Sequence, residues 1–240
     1  MKNVLITGAN KGIGFEVAKK MAELGYFVFL GCRNQTKGVK AVDELKKTGL
    51  TNVDFLQIDV SDFESVQRAK KDLADKVEFL DILINNAGIA GELSQKISKQ
   101  DIQEIRKIFD TNFFGVIQTT QQFLPLMQHA ELPVIVNVSS ELGSLSMQTD
   151  EDRKPVWSDF HAYAMSKTAL NAFTIQLADD LKNTKYKINS VTPGYTATSI
   201  NNFAGFKTAE EGAEPIIALA TIDQNGPSGR FFKSGGAVKW

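Results

Sequence analysis

Tyr163 and Lys167 stand four residues apart in Tyr163-Ala164-Met165-Ser166-Lys167, which opens a run carrying Leu170, Phe173, Ile175, Leu177 and Leu181. If the run is helical, that spacing puts the phenol and the ammonium on one face, one turn apart. A free phenol has a pKa of about 10 and holds its proton too tightly for efficient exchange near neutrality. A nearby ammonium favours the phenolate by Coulomb attraction, so Lys167 can tune Tyr163 for proton exchange with a substrate oxygen. Tyrosine and lysine meet at this spacing in many helices, so the weight falls on the elements around them.

Short apolar runs rich in β-branched residues recur at Val4-Leu5-Ile6, Phe27 to Leu30, Val53 to Ile58, Ile82-Leu83-Ile84, Val134 to Val138 and Ile188 to Val191. Each reads as a buried strand. Between them lie stretches of helical spacing, such as Val17, Met21 and Leu24, or Val66, Ala69 and Leu73, with charges on the opposite face. Strands alternating with helices imply a parallel α/β sheet. Three helix starts carry a hydroxyl with an acid three residues on: Ser61 with Glu64, Ser98 with Asp101, and Thr208 with Glu211. No repeat, low-complexity tract or Pro/Gly-rich linker divides residues 1–240, so the expectation is one continuous domain.

Directly after the first strand comes Thr7-Gly8-Ala9-Asn10-Lys11-Gly12-Ile13-Gly14, and then an amphipathic helix. Glycines there allow a tight turn and let a pyrophosphate approach backbone N–H groups at the positive end of a helix, the requirement of a dinucleotide site. A site for NAD usually carries a carboxylate at the end of the second strand, against the ribose 2′-hydroxyl. Here that end reads Gly31-Cys32-Arg33-Asn34, and the next acid is Asp43. Arg33 can instead neutralise a 2′-phosphate through a bidentate contact, with Lys11 as a second cation, so the expected cofactor is NADP(H).

The strand Val134 to Val138 runs into Ser139-Ser140. A serine at its carboxyl end can donate a hydrogen bond to a carbonyl oxygen that gains negative charge as hydride arrives. A one-residue slip exchanges the directions of Ser139 and Ser140, so both stay in play, with Ser140 preferred.

Lys and Arg total 27 against 28 for Asp and Glu, which leaves no extended field to hold nucleic acid or an anionic membrane. A small-molecule ligand fits better. One cysteine, Cys32, excludes an internal disulfide framework, and the first apolar run is too short for a signal-peptide core or a membrane span, so a cytoplasmic address is expected. His129 and His161 have no Cys or acid partners at metal-ligand spacing, and no metal site is expected.

The glycine loop in its Thr-Gly-x-x-x-Gly-Ile-Gly form, together with Asn85-Asn86-Ala87-Gly88 and the Tyr163/Lys167 pair, makes nearly the whole chain resemble the classical short-chain dehydrogenase/reductase family. Its Asn-Lys-Gly-Ile-Gly stretch and Arg33 are closest to the carbonyl reductases of that family. The resemblance implies a single-domain Rossmann fold, a doubly wound parallel sheet of about seven strands flanked by helices. It implies reduction of a ketone, aldehyde or quinone by NADPH, with Tyr163 as proton donor, assisted by Ser140, Lys167 and Asn112. Lys167 would also bind the nicotinamide ribose, and Asn112 would hold a water linking the lysine to solvent. The family's glycine loop corresponds to Gly8, Asn10, Lys11, Gly12, Ile13 and Gly14. Asn86, Ala87 and Gly88 would lie beside the adenosine ribose, and Asp59 and Val60 beside adenine, Asp59 having helix capping as its alternative. Pro193, Gly194 and Thr198 match the turn that meets the nicotinamide carboxamide.

The aromatics Trp157, Phe160, Tyr195, Phe203 and Phe206 fall where an α/β protein binds its ligand, and line a pocket or simply pack. Ser140 and Tyr163 stand 23 positions apart (163 − 140), a longer gap than many relatives have, filled partly by Asp150-Glu151-Asp152-Arg153-Lys154. Such an insertion can obstruct the packing of a tetramer, so monomer and homo-oligomer remain alternatives. The rival class is a dinucleotide-sensing or scaffold protein that keeps the fold without turnover.

Overall fold

A computed structural model describes residues 1–92, 95–152 and 159–240. Its centre is one sheet of eight strands: β1 (Asn3–Thr7), β2 (Phe27–Cys32), β3 (Val53–Gln57), β4 (Ile82–Asn85), β5 (Val134–Val138), β6 (Lys187–Val191), β7 (Arg230–Lys233) and β8 (Gly236–Ala237). They lie in the order β3-β2-β1-β4-β5-β6-β7-β8. All neighbours pair in parallel except β7 with β8. The six strands expected from the apolar runs are present, and the count rises from about seven to eight. The short pair β7 and β8 carries only Phe231 as a fully buried large side chain, too little apolar signal to announce a strand.

Strand alternation divides the core in two. Val4 and Ile6 of β1 face one side, where they pack with Val17 and Met21 of α1 (Gly12–Glu23), Val42 and Leu45 of α2 (Gln35–Lys47) and Ile216 of α8 (Ala209–Ala220). Leu5 faces the other side, with Val66 and Leu73 of α3 (Phe63–Ala74), Phe123 and Met127 of α5 (Gly115–Met127) and Leu177 of α7 (His161–Asp180). Helices therefore cover both faces, and the sheet is the doubly wound type. Strand order reverses between β1 and β4, and it is outside the carboxyl ends of strands at such a switch point that α/β sheets open a crevice.

Local signals set the helix starts with two shifts from the expected positions. Thr208 caps α8 in a reciprocal box with Glu211, as its spacing predicts. In α3 the cap is Asp62, which accepts from the Glu64 amide, while Ser61 donates to Asp59 instead. In α4 (Ile102–Phe109) the cap is Asp101, not Ser98. A carboxylate caps as well as a hydroxyl does, and in both segments the acid stands nearer the first turn. Leu24 of the expected helical stripe falls at the C-cap of α1 and is exposed.

The helical run through Asp110 to Phe114 is a π turn joining α4 to α5. Its extra residue breaks the regular register and turns Asn112, which is fully buried, toward Ile89 and Ser166. A short helix, α6 (Leu145–Gln148), follows the Ser140 turn. Among the described residues no helix is long and apolar enough to cross a membrane.

Candidate active site

Glycine, serine, tyrosine and lysine positions mean little until their backbones converge, and they converge on a cleft of about 1250 Å³ at the carboxyl ends of the strands. Gly8, Asn10, Lys11, Gly12, Ile13 and Gly14 form one wall, with Arg33, Asp59 and Val60 at one end. Asn86, Ala87 and Gly88 lie on its floor, and Ser140, Tyr163, Lys167, Pro193, Gly194 and Thr198 complete the other end.

The glycine loop is shaped by contacts no side chain would tolerate. Gly8 adopts φ +67°, and a Cβ there would stand 2.9 Å from the Ala87 Cα. A Cβ on Gly14 would collide with the Asn86 amide and stand 2.7 Å from the Gly8 carbonyl oxygen. The same asparagine closes the turn from the other side, its Nδ2 donating to the Thr7 carbonyl (2.8 Å), while the Thr7 hydroxyl accepts from the Asn86 and Ala87 amides (3.0 Å each). Gly14→Ala is therefore expected to lower stability by about 1–3 kcal/mol, read by thermal unfolding, and to weaken dinucleotide binding in a fluorescence titration.

Helix α1 starts at Gly12 with no side chain capping it and no acid in its first turn. Its leading N–H groups face the cleft, a positive helix end suited to a phosphate. Lys11 and Arg33 are exposed on the same cleft, and the Lys11 ammonium donates to the Ser199 hydroxyl at 2.6 Å, tying the glycine loop to the segment after β6. Asp59 accepts from the Ser61 amide and hydroxyl, so its oxygen stabilises the turn before α3 although Asp62 is the helix cap. The donor set fits a dinucleotide: uncapped amides for a pyrophosphate, two cations beside them, and no carboxylate at the end of β2.

At the other end, Ser140 leaves β5 at the edge of the cleft, where its hydroxyl accepts from the Leu142 amide at 3.2 Å and stands beside the Tyr163 phenol. Ser139, 2 % exposed, turns inward, and its Oγ lies 3.5 Å from the Lys167 carbonyl oxygen. The Lys167 ammonium donates to the Val138 carbonyl at 2.8 Å and sits 5.7 Å from the Tyr163 ring centroid. Asn112 accepts from the Ile89 amide and donates to the Ile89 carbonyl, both at 2.9 Å, and donates to Ser166 at 3.0 Å. Ser166 in turn donates to the Tyr163 carbonyl at 2.7 Å. Asn112 thus reaches the tyrosine helix through protein atoms, and Ser166 is a link that its place inside the Tyr-x-x-x-Lys spacing did not announce.

Burial decides the protonation of the pair. It pushes the Tyr163 phenol up to about 12, the neighbouring Ser140 hydroxyl pulling the other way, and it lowers the Lys167 ammonium to about 8. In the cofactor-free site burial is the largest influence on the phenol, and the tyrosine keeps its proton at neutral pH. A protonated phenol is the form that can donate.

The lysine shift has a measurable consequence for the cofactor-free protein. Unfolded, Lys167 releases its proton near 10.5, and folded near 8, so the unfolded state binds the extra proton between those values. Stability contributed by this residue must then rise as pH increases from about 8 to 10.5. Lys167→Met is expected to lose that rise. Thermal unfolding at pH 7.5, 8.5 and 9.5, below the range where Tyr163 ionises, measures it; parallel curves for the two proteins would contradict the shift.

A fully buried polar ladder underlies these groups. Asn85 donates to Asn137 (2.9 Å) and Thr120 (3.0 Å), Asn137 to Thr174 (2.9 Å), and Ser190 to Thr174 (2.8 Å). It joins β4, β5 and β6 to α5 and α7 just beneath the cleft, and hydrogen bonds made at that depth favour one register, although Asn85 Oδ1 itself has no partner among the described residues. Of the aromatics, Phe160, Tyr195 and Phe206 line the cleft, whereas Phe203 points to solvent outside it at 69 % exposure. Trp157, Arg153 and Lys154 lie outside the described residues. Among the described residues no group of three or more His, Cys, Asp or Glu side chains is placed to hold a metal.

A doubly wound sheet with a glycine loop at its switch point and a tyrosine–lysine pair across the cleft defines a dinucleotide-dependent oxidoreductase architecture. The chain belongs to the short chain dehydrogenase family, whose model matches residues 2–207. It is 34% identical to salutaridine reductase of Papaver bracteatum, over 97% of this chain and 94% of that protein. The structure of salutaridine reductase from Papaver somniferum superposes with a TM-score of 0.85 at 31% identity, covering 97% of this chain and 99% of that one. A short chain dehydrogenase structure from Escherichia coli CFT073, complexed with NADPH, superposes with a TM-score of 0.83 at 25% identity, covering 98% and 96%.

Proposed function

We propose that this chain is an NADPH-dependent carbonyl reductase, acting through a single domain of residues 1–240 on a ketone, aldehyde or quinone. The observation that carries the reading is the meeting of a protonated Tyr163 phenol, the Ser140 hydroxyl and the buried Lys167 ammonium at the end of β5, across one cleft from the glycine loop. Salutaridine reductase, by its name, works in the same direction, and NADPH occupies one of the related structures.

In this reading the α1 amides take the pyrophosphate, and Arg33 and Lys11 take the 2′-phosphate. Asp59 and Val60 border adenine, Asn86, Ala87 and Gly88 lie along the adenosine ribose, and Pro193, Gly194 and Thr198 meet the carboxamide. When bound, reduced nicotinamide supplies the hydride. Ser140 donates a hydrogen bond to the substrate carbonyl oxygen and stabilises its growing negative charge. Tyr163 then delivers its proton to that oxygen, and Lys167, held at Val138, orients the nicotinamide ribose and stabilises the phenolate left behind. Asn112 keeps the floor at Ile89 and the tyrosine helix at Ser166 in register. Phe160, Tyr195 and Phe206 offer ring faces and edges to an apolar substrate, with Tyr195 and Phe206 already in edge contact at 5.9 Å.

The test is NADPH consumption against a panel of cyclic ketones, aromatic aldehydes and quinones. Turnover on at least one class is expected, with Ser140→Ala slower by about 10²–10³-fold. Tight NADPH binding with no turnover on any class would instead mark a sensor.

A further inference from the structure

Helix α7 carries Tyr163 in its first turn, yet its N-cap residue, Phe160, supplies no side-chain cap. The missing acceptor comes from elsewhere in the chain. Gln95 is 0 % exposed, and its Oε1 accepts the Tyr163 amide at 3.0 Å. Its own amide donates to the Asp159 carbonyl at 3.1 Å, and it forms an isolated bridge with Phe160. The other end of the same side chain holds the loop after β4: Nε2 donates to the Ala90 carbonyl at 2.5 Å and to the Glu92 carbonyl at 3.0 Å. Gly91, between those two carbonyls, turns with φ +78°, and a Cβ there would stand 3.1 Å from that same Nε2.

This loop continues directly from Asn86-Ala87-Gly88 on the cleft floor, and Asn112 clamps it one residue earlier, at Ile89. One buried amide therefore connects the floor of the cleft to the backbone of the residue that carries the phenol. Both donors of the amide and one acceptor position are used, so a substitution that keeps volume but removes polarity leaves a helix amide and two carbonyls without partners.

We propose that Gln95 is a positioning residue for the carbonyl reduction described above: it caps the Tyr163 helix from a distance and sets the separation between the phenol and the cleft floor. The inference rests on that functional reading for its catalytic consequence, and on geometry alone for the link itself. A shift of about 1 Å at a reacting group can cost roughly 10²-fold in rate. Substrate affinity, set by other walls of the cleft, need not change with it.

Three proteins decide the matter: wild type, Gln95→Met, which keeps the volume and removes every polar contact of the side chain, and Gln95→Glu, which keeps the acceptor for the Tyr163 amide. Each is assayed with NADPH and the best carbonyl substrate, and amide hydrogen exchange is followed at Tyr163. Gln95→Met is expected to lose kcat by roughly ten- to hundredfold with KM changed less than about threefold, and to exchange the Tyr163 amide faster. Gln95→Glu is expected to retain more of both kcat and amide protection than Gln95→Met. A lowered melting temperature with kcat per folded enzyme within twofold of wild type would overturn the positioning role and leave Gln95 a packing residue. Should wild type bind NADPH but reduce nothing, the functional reading fails instead, and the exchange data still judge the link: unchanged protection at Tyr163 in Gln95→Met overturns it.

Discussion

Tyr163→Phe should bind NADPH as wild type does and reduce carbonyls at least about 10³-fold more slowly, the range set by removal of a positioned general acid. That corresponds to roughly 4 kcal/mol of transition-state stabilisation. The substitution removes one oxygen and little else. The ring keeps its edge contact with Phe160, at 6.5 Å between centroids, and its place beneath the Lys167 ammonium. What disappears is the proton that burial holds on the phenol up to about pH 12, and the polar neighbour of the Ser140 hydroxyl. Steady-state kinetics with a parallel fluorescence titration of NADPH separate the two effects. Equal losses in binding and turnover would point to a damaged site, and unchanged turnover would remove Tyr163 from the chemistry.

Arg33→Asp should invert the choice of cofactor. A guanidinium at the end of β2 can grip a 2′-phosphate with two charge-assisted hydrogen bonds, whereas a carboxylate there repels it and accepts from a free ribose hydroxyl. Hydrogen bonds to charged groups contribute about 1.5–3 kcal/mol, so NADPH affinity should fall by roughly 10- to 100-fold while NADH improves. Lys11 has a second partner in Ser199, so Lys11→Ala should produce a smaller loss with the same sign. The ratio of kcat/KM for the two cofactors, measured at fixed ionic strength, reads the result. An unchanged ratio in Arg33→Asp would show that the 2′-phosphate is read elsewhere.

The sheet was legible because its strands are buried on both faces and therefore written as continuous β-branched runs, from Val4-Leu5-Ile6 to Ile188–Val191. β7 and β8 escaped because Arg230-Phe231-Phe232-Lys233 and Gly236-Ala237 lie at an edge, where one buried phenylalanine suffices. The cleft was legible because its glycines are needed for steric reasons that sequence context exposes, and because Tyr163 and Lys167 share a helix.

Long-range partners were not legible. Nothing in Ser139-Ser140 says which hydroxyl meets Tyr163 until β5 ends and the following turn is placed. Asn112 looked like an awkward mid-helix residue, and only the π turn explains how it faces Ile89 and Ser166. Gln95 and Tyr163 are separated by 68 positions, and no local periodicity marks a glutamine that caps a helix so far along the chain. The burial of Tyr163 was not legible for a related reason. Proximity of an ammonium is visible in a four-residue spacing, whereas the depth of burial that opposes it belongs to the folded chain.

The central claim, hydride transfer from nicotinamide to a carbonyl carbon with the proton supplied by the protein, is tested most directly with NADPH deuterated at C4 of the nicotinamide ring and a cyclic ketone in ordinary water. Mass spectrometry and NMR of the product should find one deuterium on the carbinol carbon from one face of the cofactor, with none on the hydroxyl, at a rate that collapses in Tyr163→Phe. Oxidation of the labelled cofactor without deuterium at that carbon, or no product from any carbonyl class despite tight NADPH binding, would contradict it.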